Sequence, residues 1–165
     1  MRSDEPTSSV FRPSHGLAAY VKHGIHIKEV QRFHAVGFES LYMCLHRPGQ
    51  QKPVQFIAVY TSPRTKFRMV TQSIDEVMLT VDLISAKCLI MGDLNMNSIL
   101  PGKQNPNSKI MMHMNQEYNM KQYVHETTHE KGSVLDLCFS SENNVNCIVT
   151  WNHWSDHKIV SAVLP

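Results

Sequence analysis

The stretch Lys87-Cys-Leu-Ile-Met-Gly-Asp-Leu-Asn95 constrains this chain more than any other. Residues 88–91 are apolar without alternation, which reads as a short strand buried on both faces. Gly92 then ends the run where the backbone must turn or be closely approached, and Asp93 and Asn95 follow at once. Residues two apart in an extended chain point the same way. The carboxylate and the amide are therefore expected to project together from the carboxyl end of a central strand, where open α/β sheets place their sites. Ordinary turn chemistry uses the same residue types, so both readings stand open on this stretch alone.

The elements around it supply a frame. Residues 54–60 form an apolar strand, and residues 38–46 are a second one with both faces largely apolar. The Pro- and Gly-punctuated turn between them makes a hairpin. Phe67, Val70, Ile74, Val77, Met78, Val81 and Ile84 recur at three- and four-residue spacings, the stripe of an amphipathic helix that ends before Lys87. Strand, helix and strand in this order form a crossover, which favours a parallel pair with right-handed connection. Residues 17–21 read as a first strand and residues 28–33 as a weak one. A second helix runs through Ile110, Met111, Met114, Tyr118 and Met120, capped by Asn107 or Ser108. Residues 121–124, 134–139, 146–150 and 159–164 read as short strands.

The length of 165 residues, 42% of them hydrophobic, suits one globular domain with a sizeable core. Residues 1–15 lack periodicity and read as a loop or disordered terminus, leaving residues 16–165 as the domain. No apolar run approaches the roughly 18 residues of a membrane span, and the polar start is neither a secretory signal nor an anchor. An intracellular setting, nuclear or cytoplasmic, is expected. Cys44, Cys88, Cys138 and Cys147 are scattered with no Cys-x-x-Cys pair, so reduced thiols are expected rather than a disulfide frame or a zinc site. A net charge of +2 does not discriminate among partners.

Two later stretches bear on Asp93 and Asn95: Ser133-Val-Leu-Asp-Leu-Cys-Phe139, and Trp154-Ser-Asp-His157 just before the closing strand. Gly-Asp-Leu-Asn, Ser-x-x-Asp-Leu-x-Phe and Ser-Asp-His, in this order and spacing, resemble the endonuclease/exonuclease/phosphatase superfamily. Gly16-Leu-Ala-Ala-Tyr-Val-Lys22, Ala58-Val-Tyr-Thr-Ser-Pro63 and Thr127-Thr-His-Glu-Lys-Gly-Ser-Val-Leu-Asp136 look most like endonuclease domains of transposable elements, of the non-LTR retrotransposon or Helitron type.

The resemblance implies a four-layer α/β/β/α sandwich and hydrolysis of a phosphodiester in DNA with Mg²⁺, Mn²⁺ being the alternative ion. Asp93 matches the aspartate that acts on the attacking water, and Asn95 the asparagine that hydrogen-bonds the phosphate. His157 matches the imidazole that contacts the phosphate or moves a proton, and Asp136 the carboxylate that fixes its tautomer. Asp156 matches a metal-proximal aspartate, and Tyr60 a tyrosine on the scissile phosphate. Asp156 and His157 are neighbours, so both serve one site only if residues 155–157 form a loop. The remaining histidines, His125, His129 and His153 among them, read as structural. DNA sequence would be read by surface loops, here residues 97–109 and 126–131.

The chain departs from the family at its front. Members open with a strand ending in a catalytic Asn and another ending in a metal-binding Glu, whereas the first fifteen residues here are polar. Asp4 and Glu5 follow no apolar strand, so neither would be aimed into a site. The expectation is a sandwich lacking its opening strands, and three functions stay open. One is an endonuclease-type hydrolase, transposon-derived and impaired. The second is a non-catalytic remnant that binds nucleic acid or a partner. The third is a phosphatase or phosphodiesterase of the same superfamily with another substrate.

Overall fold

The computed structural model describes residues 17–49, 52–80, 87–96 and 106–165, the side chains of 106–108 aside. Strands β1 (His26–Ala35), β2 (Phe38–His46) and β3 (Val54–Thr61) precede helix α1 (Phe67–Thr80) and strand β4 (Lys87–Asp93). Helix α2 (Pro106–Tyr118), the two-residue β5 (Lys121–Gln122), β6 (Asp136–Ser140), β7 (Asn146–Thr150) and β8 (Ile159–Val163) complete the chain. The first six strands form one sheet in the order β1-β2-β3-β4-β6-β5, and β7 pairs with β8 in a separate two-stranded sheet.

The 88–91 run is central. β4 lies between β3, to which it is parallel, and β6, to which it is antiparallel. Its Cys88, Leu89 and Ile90 are buried. The β2–β3 hairpin and the crossover through α1 are as expected. Val70, Ile74, Val77 and Met78 of α1 pack with Phe38, Ile57, Val59 and Ile90 in one core, each large side chain contributing about 1.5–3 kcal/mol by leaving water. α2 lies against α1. Asp75 Oδ1 receives the Tyr118 hydroxyl at 2.6 Å and contacts His113 Nε2 at 2.7 Å, which ties the two helices through a polar knot.

The opposite face of the large sheet meets the β7–β8 hairpin. Cys147, Val149, Val160 and Ala162 turn toward the core, while Ile148, Ile159 and Val163 alternate outward and are exposed. The layers among the described residues therefore run helices, six-stranded sheet, two-stranded sheet. The outer helical layer beyond the second sheet has no counterpart among them. All four cysteines are free, and burial pushes the Cys88 thiol up to about 12, as for an inert core thiol.

Three expectations are corrected. Residues 17–21 are not a strand; Tyr20 is 99% exposed, and the segment has no pairing partner among the described residues, so its apolar composition did not suffice. The weak strand at 28–33 is a full ten-residue edge strand, paired along its length with β2. α2 runs from Pro106 to Tyr118, so Asn107 and Ser108 lie inside the helix and Met120 beyond it, past the left-handed Asn119 at φ 51°; proline suits the first helical position because its missing N–H has no partner there anyway. Residues 1–16, the helical positions Val81 and Ile84, and the loop segment 97–105 lie outside the described residues.

Candidate active site

The site is built on a row across the sheet. Tyr60 of β3 pairs with Asp93 of β4, and Asp93 with Asp136 of β6; Glu39 of β2 extends the row beyond Tyr60. Residues opposite one another in a sheet share a face, so these polar side chains stand side by side at the carboxyl ends of β3 and β4. Gly92 makes that register attainable. At φ 151° it sits directly against β3, and a Cβ there would overlap the carbonyl of Val59.

Asn95 reaches Asp93 by a different route from the extended one expected. Its φ of 49° is left-handed, and the chain folds back. The Asn95 amide N–H donates to Asp93 Oδ1 at 2.8 Å, while its Nδ2 donates to Asp93 Oδ2 at 2.9 Å and to the Thr61 carbonyl at 2.7 Å. The Thr61 hydroxyl in turn donates to the Leu94 carbonyl. Asn95 thus clamps both oxygens of Asp93, and both of its side-chain N–H groups are engaged.

Residues 155–157 are a loop, the condition for Asp156 and His157 to share a site. His157 Nδ1 lies 2.8 Å from Asp136 Oδ2, and its Nε2 lies 4.0 Å from Asp93 Oδ2. A carboxylate on Nδ1 fixes that nitrogen as the donor and leaves Nε2 facing Asp93. Asp136 is itself held: Thr128, fully buried, accepts the backbone N–H groups of Leu135 and Asp136 on its hydroxyl at 2.9 and 3.0 Å.

The electrostatics follow from this crowding. Burial pushes Asp93 up to about 6, and the Asp136 charge adds to the rise, against the lowering effect of the Asn95 hydrogen bonds and of His157. Burial works against a charged His157, but the Asp136 hydrogen bond and the surrounding carboxylates outweigh it and hold the imidazole above its ordinary value. Tyr60 is raised by burial and by the charges of Asp93 and Glu39. Asp156 is exposed; desolvation works against its charged form, but the His129 hydrogen bond, a backbone hydrogen bond and the nearby imidazoles together outweigh it and hold the carboxyl below its ordinary value.

The endonuclease-reverse transcriptase family profile of the endonuclease/exonuclease/phosphatase group matches residues 54–161, well over half of the chain. The chain belongs to this family. No curated protein matches it in sequence. Solved structures share its fold. The endonuclease domain of TRAS1, a telomere-specific non-LTR retrotransposon, superposes with a TM-score of 0.61 at 14% identity, over 82% of this chain and 66% of that one. An endonuclease/exonuclease/phosphatase protein of Bacteroides vulgatus gives 0.62 at 16% identity, over 88% and 69%. The mannosyl-6-phosphatase of Bacteroides thetaiotaomicron gives 0.56 at 11%, over 88% and 69%. The chain spans about two thirds of the length of these three structures.

Enzymes of this superfamily generally depend on a divalent metal, and the residues present fit such an ion. Asp93, Asp136 and His157 bring one ligand atom each within 4.8 Å of one another, as do His129, Asp156 and His157. Asp93 and Asp136 are like charges in a partly buried pair, a repulsion that a cation relieves. The donors are mostly carboxylate oxygens and few, which suits an ion that keeps much of its water.

His129 is the residue that motif reading left aside. The structure puts its Nε2 3.2 Å from Asp156 Oδ2 and its ring edge-on to that of His157, centroids 5.0 Å apart. The available signal was its place in Thr127-Thr-His129, ahead of Asp136. Trp154 and Lys158 edge the loop, with Trp154 92% exposed and the Lys158 ammonium 4.7 Å above the Trp151 ring. A cleft of about 440 Å³ lies elsewhere, at the other end of β3 and β4 between Phe56, Leu89 and Leu164. Its lining is mostly apolar, with Arg47 and Lys87 among it, and it holds none of these residues. No helix among the described residues is long and apolar enough to cross a membrane.

Proposed function

We propose that this chain is a divalent-metal-dependent phosphodiester hydrolase of the endonuclease type, acting on DNA and derived from a transposable element. The observation that carries the reading is the Asp136–His157–Asp93 arrangement, an imidazole fixed at Nδ1 by one carboxylate and facing a second with Nε2. Similarity in fold to a retrotransposon endonuclease domain supports DNA as the substrate class.

In this mechanism Asp93, raised to about 6, takes the proton of the attacking water, a value suited to a base working near neutrality. Asn95 holds that carboxylate from both oxygens. His157 presents Nε2 to the phosphate while Asp136 keeps its tautomer and supports the imidazolium. Tyr60, next to Asp93 in the row, offers its hydroxyl to the same phosphate. Asp156, which brings a carboxylate oxygen within 4.8 Å of a ring nitrogen of His157, would hold the ion. Mg²⁺, or Mn²⁺ as the alternative, would supply charge neutralisation on the phosphate oxygens when bound.

The test is a plasmid-nicking assay with Mg²⁺ on the wild-type chain, His157→Ala and Asp93→Ala. Nicking that falls by about 10²–10⁴-fold in both variants supports the reading. Robust nicking unaffected by His157→Ala refutes the site. A second reading, phosphomonoester hydrolysis, is favoured by the likeness to a mannosyl-6-phosphatase. Release of phosphate from sugar phosphates without nicking would select it. DNA binding without hydrolysis of either substrate would select the non-catalytic remnant.

A further inference from the structure

His129, Asp156 and His157 offer two imidazoles and a carboxylate within 4.8 Å, a donor set that elsewhere suits transition ions. The hydrogen bonds of His129 exclude it from that role. The backbone N–H of Lys131 donates to His129 Nδ1 at 3.1 Å. An amide N–H has no lone pair to offer, so Nδ1 must be the accepting nitrogen and Nε2 the one that carries the proton. Nε2 lies 3.2 Å from Asp156 Oδ2 and donates to it. A nitrogen with its lone pair tied up in an N–H bond cannot ligate a metal.

The backbone makes this geometry rigid. The His129 amide N–H donates to the Ser133 carbonyl and Gly132 N–H to the His129 carbonyl, both at 3.0 Å, closing the turn that presents the Lys131 amide. Glu130 N–H donates to the Asp156 carbonyl at 2.9 Å and Lys158 N–H to the Thr128 carbonyl at 2.7 Å, so the turn is stitched to the 155–158 loop on both sides of His157. The Asp156 side chain is otherwise 58% exposed, while that of His129 is 11% exposed. An exposed carboxylate on a loop would sample several rotamers; here one oxygen is held by a packed, tautomer-locked donor. The other oxygen lies 3.4 Å from the Ser155 hydroxyl, a longer and weaker contact.

We propose that His129 is a positioning residue: its Nε2–H fixes Oδ2 of Asp156 and so presents the carboxylate beside His157 to the divalent cation. This rests on the hydrolase reading above. The residue acts through Asp156 and touches neither metal nor phosphate.

Two measurements test it, one of them independent of activity. In the metal-free protein, two-bond ¹H–¹⁵N correlation spectra of the imidazoles should place the His129 proton on Nε2; a proton on Nδ1 overturns the proposal. Mn²⁺ is then titrated by EPR into the full chain with a phosphorothioate duplex present. His129→Ala should weaken Mn²⁺ binding about 10–100-fold, the usual cost of losing a partner that orients a ligand. His129→Gln keeps a side-chain N–H donor and should recover most of it. The double variant with Asp156→Ala should bind no worse than Asp156→Ala alone, because His129 has nothing left to hold. Unchanged affinity in His129→Ala, or a further loss in the double variant, overturns the proposal, the latter by making His129 a ligand. Wild-type protein that keeps the Nε2 proton but binds no Mn²⁺ overturns the metal role in the hydrolase reading, and this use of His129 with it.

Discussion

Strands β3 and β4 run through two different environments. At their carboxyl ends Tyr60 and Asp93 stand in register beside Asp136, polar and half-buried, held by Asn95, Thr128 and the close approach at Gly92. At their other ends Val54, Phe56, Lys87 and Leu89 line an open cleft of about 440 Å³ with Leu45 and Leu164, and no aspartate or glutamate among the described residues lines it. One end crowds like charges and spends stability on geometry; the other buries apolar surface loosely. If the comparison is right, chemistry and stability separate along the same two strands, and substitutions at the two ends should fail in different ways.

The largest effect should come from Asp136→Asn. Asparagine can offer His157 Nδ1 an N–H, which would push the imidazole proton to Nε2 and turn the wrong tautomer toward Asp93. Nicking should drop by about 10²–10⁴-fold, while the thermal midpoint moves by only a few degrees, since Asp136 keeps its backbone bond to Thr128. Nicking rates and melts on the same preparation check both halves. Loss of folding in step with activity would break the separation.

Gly92→Ala comes next and should damage both properties. Its Cβ would meet the Val59 carbonyl, backbone that cannot step aside cheaply, at a φ that side chains rarely adopt. We expect about 2–4 kcal/mol of destabilisation by urea titration, with activity reduced because β4 must shift from β3 and carry Asp93 away from Tyr60. A variant with unchanged stability would show that the register is not held at this point.

This tight spot shows why much of the molecule was legible beforehand and where reading stopped. The 88–91 run, the helical stripe of α1 and the β2–β3 hairpin are local patterns, and each appears where its period placed it. Asp93, Asn95, Asp136 and His157 stand together in the structure, having been picked out by motif order. How they meet was hidden, because it depends on tertiary partners. Asn95 turns back at φ 49° since the Thr61 carbonyl is there to receive its amide, and His129 lies 27 residues from the Asp156 it contacts. Residues 17–21 failed for the converse reason: apolar composition is local, but a strand needs a neighbour.

Ionisation gives a third, smaller difference between the ends. Asp93 titrates near 3.8 when unfolded and about 6 when folded. Between those values the native state holds a proton that the unfolded chain has lost, so stability falls as pH rises through that window and stays lower above it. The change is on the order of 3 kcal/mol at most. His157, raised from 6.5, acts in the same direction over a higher range: its stabilisation is complete below 6.5 and is lost as pH rises through its folded value. In metal-free buffer, Asp93→Asn should flatten the fall between pH 4 and 7, even though its amide N–H faces one of the two Asn95 donors and lowers stability at every pH alike. Parallel curves for the two proteins would mean that Asp93 is not strained by its surroundings.

The smallest effect belongs to the cleft and is the sharpest control. Phe56 is half-buried and lines the cleft, so Phe56→Leu removes atoms that already border open space and leaves no new closed cavity. Only part of the transfer free energy is lost, about 1 kcal/mol. On the helix-facing side of the same strand Ile57 is 1% exposed in the close-packed core, and Ile57→Ala should cost about 2–5 kcal/mol. Neither residue touches the Tyr60–Asp93–Asp136 row, so nicking per folded molecule should match wild type for both. Urea midpoints paired with nicking rates make the comparison. If Phe56→Leu slowed nicking as Asp136→Asn does while its stability barely moved, the apolar end would be coupled to the chemistry, and the cleft would have to be counted as part of the active site.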